Sequence, residues 1–482
     1  MLTACISGAS PLPVAAGVSA AGAACFLDGR RAGRRAGFLR LEAIAELYLR
    51  VASASIHDAI VVGAGPAGAT AARRLAAAGI RTLLLDRAAF PRDKACGGAI
   101  TTRALARFPY LSAALKRIPT HWISRLVLQG PSGRSAELRS NGPAVLTIRR
   151  VEFDALLVSL AREAGAELVE ATDIHDAREE TDRVCLRARD GRTFDARMVV
   201  AADGVHGIVS RRLGLLKAWP RERLAIDLME ETPSATLRAA DSGALWVSYG
   251  FPASSAGGPR GLTEGYAYVF PKQAHVNVGI GYLAQQYRTN YRGSAYSLQQ
   301  GLIGRLRGAG ILDGTSSRQH FTPFLIPVGG PLRRPGTARV LVAGDAGGFV
   351  NGFSAEGIYY AMVSGDLAAA SVADALATRR PAHSLYRGRW HGEIGTELDD
   401  AVVLQRLLFA DTRKIDGLVE AAATGTPLVE AVTRWARGVE TYAALRRRIV
   451  RRNPLVGIVL GAMLLQKRFA ATQAAVFQSE HS

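Results

Sequence analysis

Apolar positions gather from Asp58 onward into the run AIVVGAGPAGATAARRLAAAGIRTLLLD: a β-branched stretch, a glycine turn, an alanine-rich stretch and a second apolar stretch. That order predicts strand, helix and strand, one βαβ unit of about thirty residues. Further on, VEFDALLVSLAREAGAE spaces its apolar residues for an amphipathic helix, and RTFDARMVVAAD reads as a strand running into a turn. Between about 220 and 330 the period changes to two, in YAYVF and HVNVGIGYL, which predicts an antiparallel sheet. After Val340 a buried strand, VLVAGD, enters a glycine-rich turn and a helix, and from about Ser384 the pattern is helical to the end. No internal repeat interrupts this order. The fold class that follows is α/β: a Rossmann-like domain in two parts, 56–219 and 331–383, with an antiparallel-sheet domain at 220–330 between them and a C-terminal helical region at 384–482.

Residues 1–55 are rich in Ala, Gly and Arg, and their apolar stretch Pro11–Phe26 has its arginines after it, the reverse of a secretory signal. Much of the segment is expected to be a disordered extension or an over-long start-site assignment. Near the other end, Leu455–Leu465 holds eleven mostly apolar residues between basic pairs, short of the roughly 20 that span a bilayer. It suits either a buried terminal helix or a helix lying on a membrane surface.

With 482 residues and 48% apolar composition the chain can bury a large core. The excess of 60 basic over 41 acidic residues, a net charge of +19, suits an anionic partner such as a phospholipid surface or a diphosphate. No zinc-knuckle, helix-turn-helix or RNA-binding signature accompanies it, so no nucleic-acid partner is expected. The four cysteines, Cys5, Cys25, Cys96 and Cys185, are too scattered for a metal-ligand pair or a disulfide framework. A reducing cytoplasmic setting, with peripheral contact on the inner face of a membrane as an option, is the expectation.

In Gly63-Ala-Gly65-Pro-Ala-Gly68 the first glycine permits a tight turn, the second lets the backbone approach a pyrophosphate, and the third lets helix and strand pack closely. The helix amino end then meets the phosphates. Asp86 closes the next strand, eighteen positions after Gly68, where a carboxylate can accept from ribose hydroxyls. Dinucleotide binding follows; the choice between FAD and NAD does not.

Two later segments carry a family resemblance. VVAADGVHGIVSRRLG resembles the Asp-Gly segment of the flavoprotein hydroxylase superfamily, and VLVAGDAGGFVNGFSAEGIYYAM resembles its second flavin segment. Within that superfamily the chain is most similar to the geranylgeranyl reductase family. Pro91-Arg-Asp-Lys-Ala-Cys96-Gly97-Gly98 resembles its Cys-Gly-Gly signature, and Tyr266-Ala-Tyr-Val-Phe-Pro271 through Asn277-Val-Gly279-Ile-Gly281 resembles its aromatic signature. The resemblance implies FAD at Gly63, Gly65, Gly68, Ala69 and Asp86, with Cys96 and Gly97 beside the flavin. Arg150 would contact the cofactor and Ile174 the adenine, while Asp345, Gly357 and Ile358 would hold the ribityl chain and the ring. It implies a prenyl substrate lying against Tyr266, Tyr268, Phe270, Pro271, Asn277 and Gly279.

Two departures matter. Aromatic hydroxylases follow the flavin-binding Gly-Asp with Ala-Ala-His, whereas Asp345 is followed by Ala-Gly-Gly-Phe, which favours the reductase branch. The chain also has Ala267 and Tyr268 where many reductases place a tryptophan, leaving chain-length and head-group preference open.

The implied reaction saturates isolated double bonds of geranylgeranyl chains with electrons from reduced flavin, inside a dry wall drawn from Trp246, Tyr249, Phe251, Tyr266, Tyr268 and Phe270. NADPH or a reduced ferredoxin would be the electron donor, since no second GxGxxG stands in the right context. Cys96 is the candidate proton donor, with packing against the flavin as its competing role; His206 and His275 are further candidates. The alternatives are a monooxygenase or halogenase of the same fold and a membrane-associated flavin electron carrier.

Overall fold

The computed structural model describes residues 56–251, 265–291, 293–424 and 427–452, together with Ala462. The expected extension 1–55 and nearly all of Leu455–Leu465 lie outside the described residues.

The first sheet forms around β1 (His57–Val62), β2 (Thr82–Leu85) and β3 (Thr193–Ala201), which lie parallel in the order β2-β1-β3. Short parallel Glu167–Val169 extends it beyond β2. β3 divides its other edge: Thr193–Ala196 continues the antiparallel Ile174–Glu179 and Val184–Ala188 hairpin, and Val199–Ala201 takes parallel Val340–Val342. Being covered on both faces, β1 and β2 read as unbroken apolar runs rather than alternating ones.

Helix α1 (Pro66–Ala77) has proline in its first turn and alanines along its inner side. It packs with α2 (Arg150–Glu163) and α3 (Ile358–Thr378) on one face of the sheet. The approach of α1 to α3 depends on small residues, because a Cβ at Gly365 would stand 2.1 Å from the Ala67 carbonyl oxygen.

The second sheet contains β4 (Ala225–Pro233), β5 (Gly265–Pro271) and β6 (His275–Leu283), in the order Phe321–Ile326, β4, β6, β5, Ala244–Phe251, Arg125–Gln129, Ser135–Arg139. Its last two strands come from the segment expected to belong wholly to the Rossmann part, so this sheet is not confined to 220–330. The link is a parallel pairing of Ala244–Ser248 with Arg125–Gln129. A small sheet of Ala99–Thr101, Val145–Thr147 and His121–Ile123 brackets Arg125–Gln129 and Ser135–Arg139 in sequence.

Period-two alternation gives the second sheet two apolar faces. One, with Trp246, Val269, Val278 and Ile280, is covered by the helix Ala295–Gly308. The other, with Tyr249, Tyr268 and Phe270, meets α4 (Thr396–Phe409), α5 (Thr412–Ala423) and the residues around Cys96. Trp246 therefore faces away from Tyr268, a correction to the expected aromatic wall: adjacent positions on a strand point to opposite sides.

Candidate flavin and substrate site

The turn between β1 and α1 is held open by missing side chains. Gly63 has φ +94°, and a Cβ on it would lie 2.4 Å from the Ala202 carbonyl oxygen; one on Gly68 would lie 1.7 Å from the Gly63 oxygen. Around Gly65 the closest neighbour of such a Cβ is an Arg92 nitrogen at 3.7 Å, so this glycine faces room rather than protein. Ala69 donates to the Gly65 carbonyl at 2.9 Å and starts the helical ladder. Asp86 is fixed just beside this turn, accepting from Ala64 N at 2.7 Å and Ala88 N at 2.9 Å.

A chain of charge runs from there to the cysteine. Arg92 reaches Asp86 at 3.8 Å and Asp154 at 3.1 Å, and Asp154 forms two 2.6 Å bonds to Arg150. Burial opposes the Arg150 charge, but Asp154 and then the Cys96 sulfur hold its guanidinium above the ordinary value. Cys96 is half-buried and its sulfur accepts from Gly98 N at 3.4 Å. Neighbouring Lys94 is pulled below its ordinary value by burial, opposed by the Asp345 carboxylate 4.0 Å away, and stacks on Phe324.

Asp345 sits in the turn Gly344–Gly347, tucked against α1 because a Cβ on Gly344 would lie 2.9 Å from that of Ala67. Gly357 and Ile358 begin α3, and the Asp345 carboxylate lies 3.7 Å from where a Cβ on Gly357 would stand. The positive end of a helix dipole thus points past Asp345 into the same space. Ile174 begins its strand, with its side chain buried beside Val62 and Leu85 in the core behind the sheet.

The aromatic residues converge on the Cys-Gly-Gly segment. Tyr268 and Phe270 have ring centroids 4.5 Å apart, Tyr266 and Tyr268 5.7 Å. A Cβ on Gly97 would meet Phe270 at 2.9 Å and Tyr268 at 3.3 Å, so this glycine allows the rings to lie against the Cys96–Gly97 backbone. Asn277 donates to the Cys96 carbonyl at 3.1 Å, while its own Oδ1 is buried with no hydrogen-bond partner among the described residues. Pro271 accepts from Thr147 Oγ1 at 2.6 Å, and Gly279 lies under the Tyr268 ring.

His206 and His275 stand outside this convergence. His206 is exposed and meets Phe324 edge-on; burial followed by Arg87 and Arg211 lowers it. Burial and then Arg149 lower His275. Both are thus held below the ordinary imidazole value.

Two residues escaped the sequence reading. Arg92 lay inside the Cys-Gly-Gly signature, where its arginine was visible but its partners were not. Asp227 lies in β4 and is 7% exposed; its Oδ2 accepts from the Tyr268 hydroxyl at 3.0 Å, and its Oδ1 has no hydrogen-bond partner among the described residues. Burial pushes Asp227 up to about 6, against the Tyr268 bond and the Lys94 charge. An acid inside AIDLM, an otherwise apolar strand stretch, was the available signal.

An FAD molecule fits this donor set: an open glycine turn at a helix start, an acid beside it, and a second helix start beside Asp345. Among the described residues no group of His, Cys, Asp or Glu is arranged for a metal. Residues 57–275 match the FAD binding domain family. The chain is 31% identical over 334 residues, 65% of its length and 75% of the relative's, to menaquinone reductase of Mycolicibacterium smegmatis. It is 28% identical over 366 residues, 73% and 88% respectively, to digeranylgeranylglycerophospholipid reductase 2 of Methanothermobacter thermautotrophicus. Among solved structures, a geranylgeranyl bacteriochlorophyll reductase-like protein of Thermoplasma acidophilum shares the fold, with TM-score 0.65 and 21% identity over 82% of this chain and 98% of that one. The chain belongs to the geranylgeranyl reductase family of FAD-dependent oxidoreductases, within the flavoprotein hydroxylase-like superfamily.

Proposed function

We propose that this oxidoreductase saturates isolated double bonds in a geranylgeranyl-type isoprenoid chain. The observation that carries the reading is the aromatic face of β5 laid against Cys96–Gly97: an apolar wall beside the place a flavin ring would take. An isolated alkene offers no carbonyl to polarise, so its reduction calls for close apposition in a water-poor site rather than an oxyanion hole. The names of the menaquinone and digeranylgeranylglycerophospholipid reductases support a prenyl chain borne on a quinone or a lipid.

Gly63, Gly65, Gly68 and Ala69 would receive the pyrophosphate, and Asp86 the ribose. Arg150 would stand beside the flavin with Cys96 and Gly97, and Asp345, Gly357 and Ile358 would hold the ribityl chain and ring edge. When bound, the flavin supplies two electrons and one hydrogen to the alkene. Tyr266, Tyr268 and Phe270 would flank the chain, while Asn277 and Gly279 keep Tyr268 and the Cys96 backbone in place. NADPH or a reduced ferredoxin would recharge the flavin.

Among the described residues no helix is long and apolar enough to cross a membrane. The helix Tyr442–Arg452 nonetheless presents exposed Arg447, Arg451 and Arg452, which suits peripheral contact with lipid phosphates.

The test is anaerobic incubation of dithionite-reduced protein with geranylgeranyl diphosphate and, separately, with menaquinone in detergent, followed by mass spectrometry. Gains of two mass units per step are expected. No gain with either, together with oxygen uptake in air with NADPH, would replace this reading with the monooxygenase one.

A further inference from the structure

We propose that Tyr268 and Asp227 form a proton relay, Tyr268 protonating the alkene carbon opposite the one reduced by the flavin and Asp227 replacing that proton. The inference rests on the prenyl-reductase reading and adds the source of its second hydrogen.

The geometry is specific. Asp227 of β4, Gly281 of β6 and Tyr266 of β5 form one row across the sheet, and Met229, Gly279 and Tyr268 the next. Because β6 contributes only glycine at both places, the Tyr268 ring can lean across it and bring its hydroxyl to Asp227, two strands away. The same ring touches the space beside Gly97. Tyr268 thus joins the flavin-side backbone to a buried acid whose second oxygen is unpartnered among the described residues.

The other candidate proton sources sit differently. The Cys96 sulfur accepts from Gly98 N and from Arg150. His206 and His275 are lowered and lie apart from the rings. The ionisable groups facing Asp227 are Tyr268 and Tyr266 from β5 and Lys94 from the Cys-Gly-Gly loop. Burial, then the Asp227 charge, holds the Tyr268 hydroxyl well above its ordinary value, so a tyrosinate there needs immediate replacement of its proton. Many family members place a tryptophan near Tyr268; a phenol is what makes the relay available to this chain.

The balance is complete. The alkene gains two electrons and one hydrogen from the reduced flavin and one proton from Tyr268, closing two C–H bonds at the expense of the π bond. Asp227 passes its carboxyl proton to the tyrosinate, and water restores it once product leaves. Reduced nicotinamide or a reduced iron–sulfur carrier returns the electrons to the flavin. Tyr268 is the catalytic residue, in contact with the chain; Asp227 is a positioning residue that acts through it.

The test uses wild-type protein, Asp227→Asn and Tyr268→Phe. Infrared spectra of the substrate-free protein should show a protonated-carboxyl band that titrates away through about pH 6 and is missing from Asp227→Asn. With the flavin pre-reduced, its single-turnover reoxidation by geranylgeranyl diphosphate should fall about a hundredfold in Tyr268→Phe. Asp227→Asn should fall about tenfold, less than the roughly hundredfold or more of a direct general acid because it acts through Tyr268, and lose the decline in rate with rising pH. FAD affinity should stay within about twofold in both, as neither residue holds the cofactor. A competent wild type with both variants unchanged in rate overturns the relay alone, as does an Asp227→Asn protein that keeps the band. A wild type that reduces no prenyl probe overturns the reductase reading and the relay together. If Asp227→Asn does not fold, Tyr268→Phe decides: an unchanged rate rejects the relay.

Discussion

The Tyr268 phenol lies across Gly279, so closely that a Cβ on that glycine would stand 2.4 Å from the ring carbon Cζ. The strand β6 thereby yields its side-chain space to a residue of its neighbour. Replacing Gly279 by Ala should push the ring off its place, break the bond to Asp227 and cost about 1–3 kcal/mol by overpacking. Gly281→Ala is the control, because its closest contacts are carbonyl oxygens at 3.7 and 3.9 Å. Urea denaturation of the two variants should separate them, with Gly281→Ala near wild type.

Gly65 and Gly68 stand three residues apart and should fail in different ways. A Cβ on Gly68 would penetrate the Gly63 carbonyl, so Gly68→Ala should destabilise the apoprotein by about 1–3 kcal/mol or more. Gly65→Val fills room that only a ligand would use. It should cost the flavin-free protein only about 1 kcal/mol, the difference between glycine and a poor residue at a helix N-cap. Its FAD affinity should drop by at least about tenfold, one lost increment of about 1.4 kcal/mol. Calorimetry of the apoprotein and fluorescence titration with FAD read the two quantities separately.

Arg103 ties the start of α3 to α4. Its guanidinium is 5% exposed and bonds Glu397 at 2.7 Å, Glu356 at 2.8 Å and the Tyr360 hydroxyl at 2.9 Å, with Tyr359 and Trp435 stacked on it. Glu356 precedes Gly357, so the pairing fixes the backbone just ahead of the helix end proposed to face the flavin. Arg103→Ala leaves two carboxylates without their common partner and should cost about 3–5 kcal/mol. Retained flavin after gel filtration should fall with it, whereas Arg134→Ala, on an ion pair with Glu420 in which both side chains are 65% exposed, should change stability by about 1 kcal/mol or less.

Local chemistry made much of this readable in the sequence. The glycines of the β1–α1 turn, the unbroken apolar strands of a parallel sheet and the alternation in β5 and β6 each follow from contacts within a few residues. Long-range pairing left no such mark: nothing in RLVLQ says that Arg125–Gln129 pairs with Ala244–Ser248, over a hundred residues on. Trp246 looked like part of the aromatic wall because composition ignores which side of a strand a residue takes. Asp227 was overlooked because its meaning depends on Tyr268, forty-one positions later.

The raised pKa of Asp227 gives a stability signature independent of any substrate. Its carboxyl binds a proton more tightly folded, at about 6, than unfolded, where carboxyls of this type titrate near about 4. The stabilisation is therefore full below about pH 4 and is lost as pH rises through about 6, the opposite of a salt-bridged aspartate. Two pH units correspond to about 3 kcal/mol in the difference between wild type and Asp227→Asn, which cancels the other carboxylates common to both. Urea unfolding at pH 4.5 and 7.5, compared between the two proteins, checks it: the wild type should lose ground to the variant on going to the higher pH. A difference that stays constant or runs the other way would mean that Asp227 is ionised throughout, held by Lys94 and the Tyr268 hydroxyl more strongly than burial opposes it.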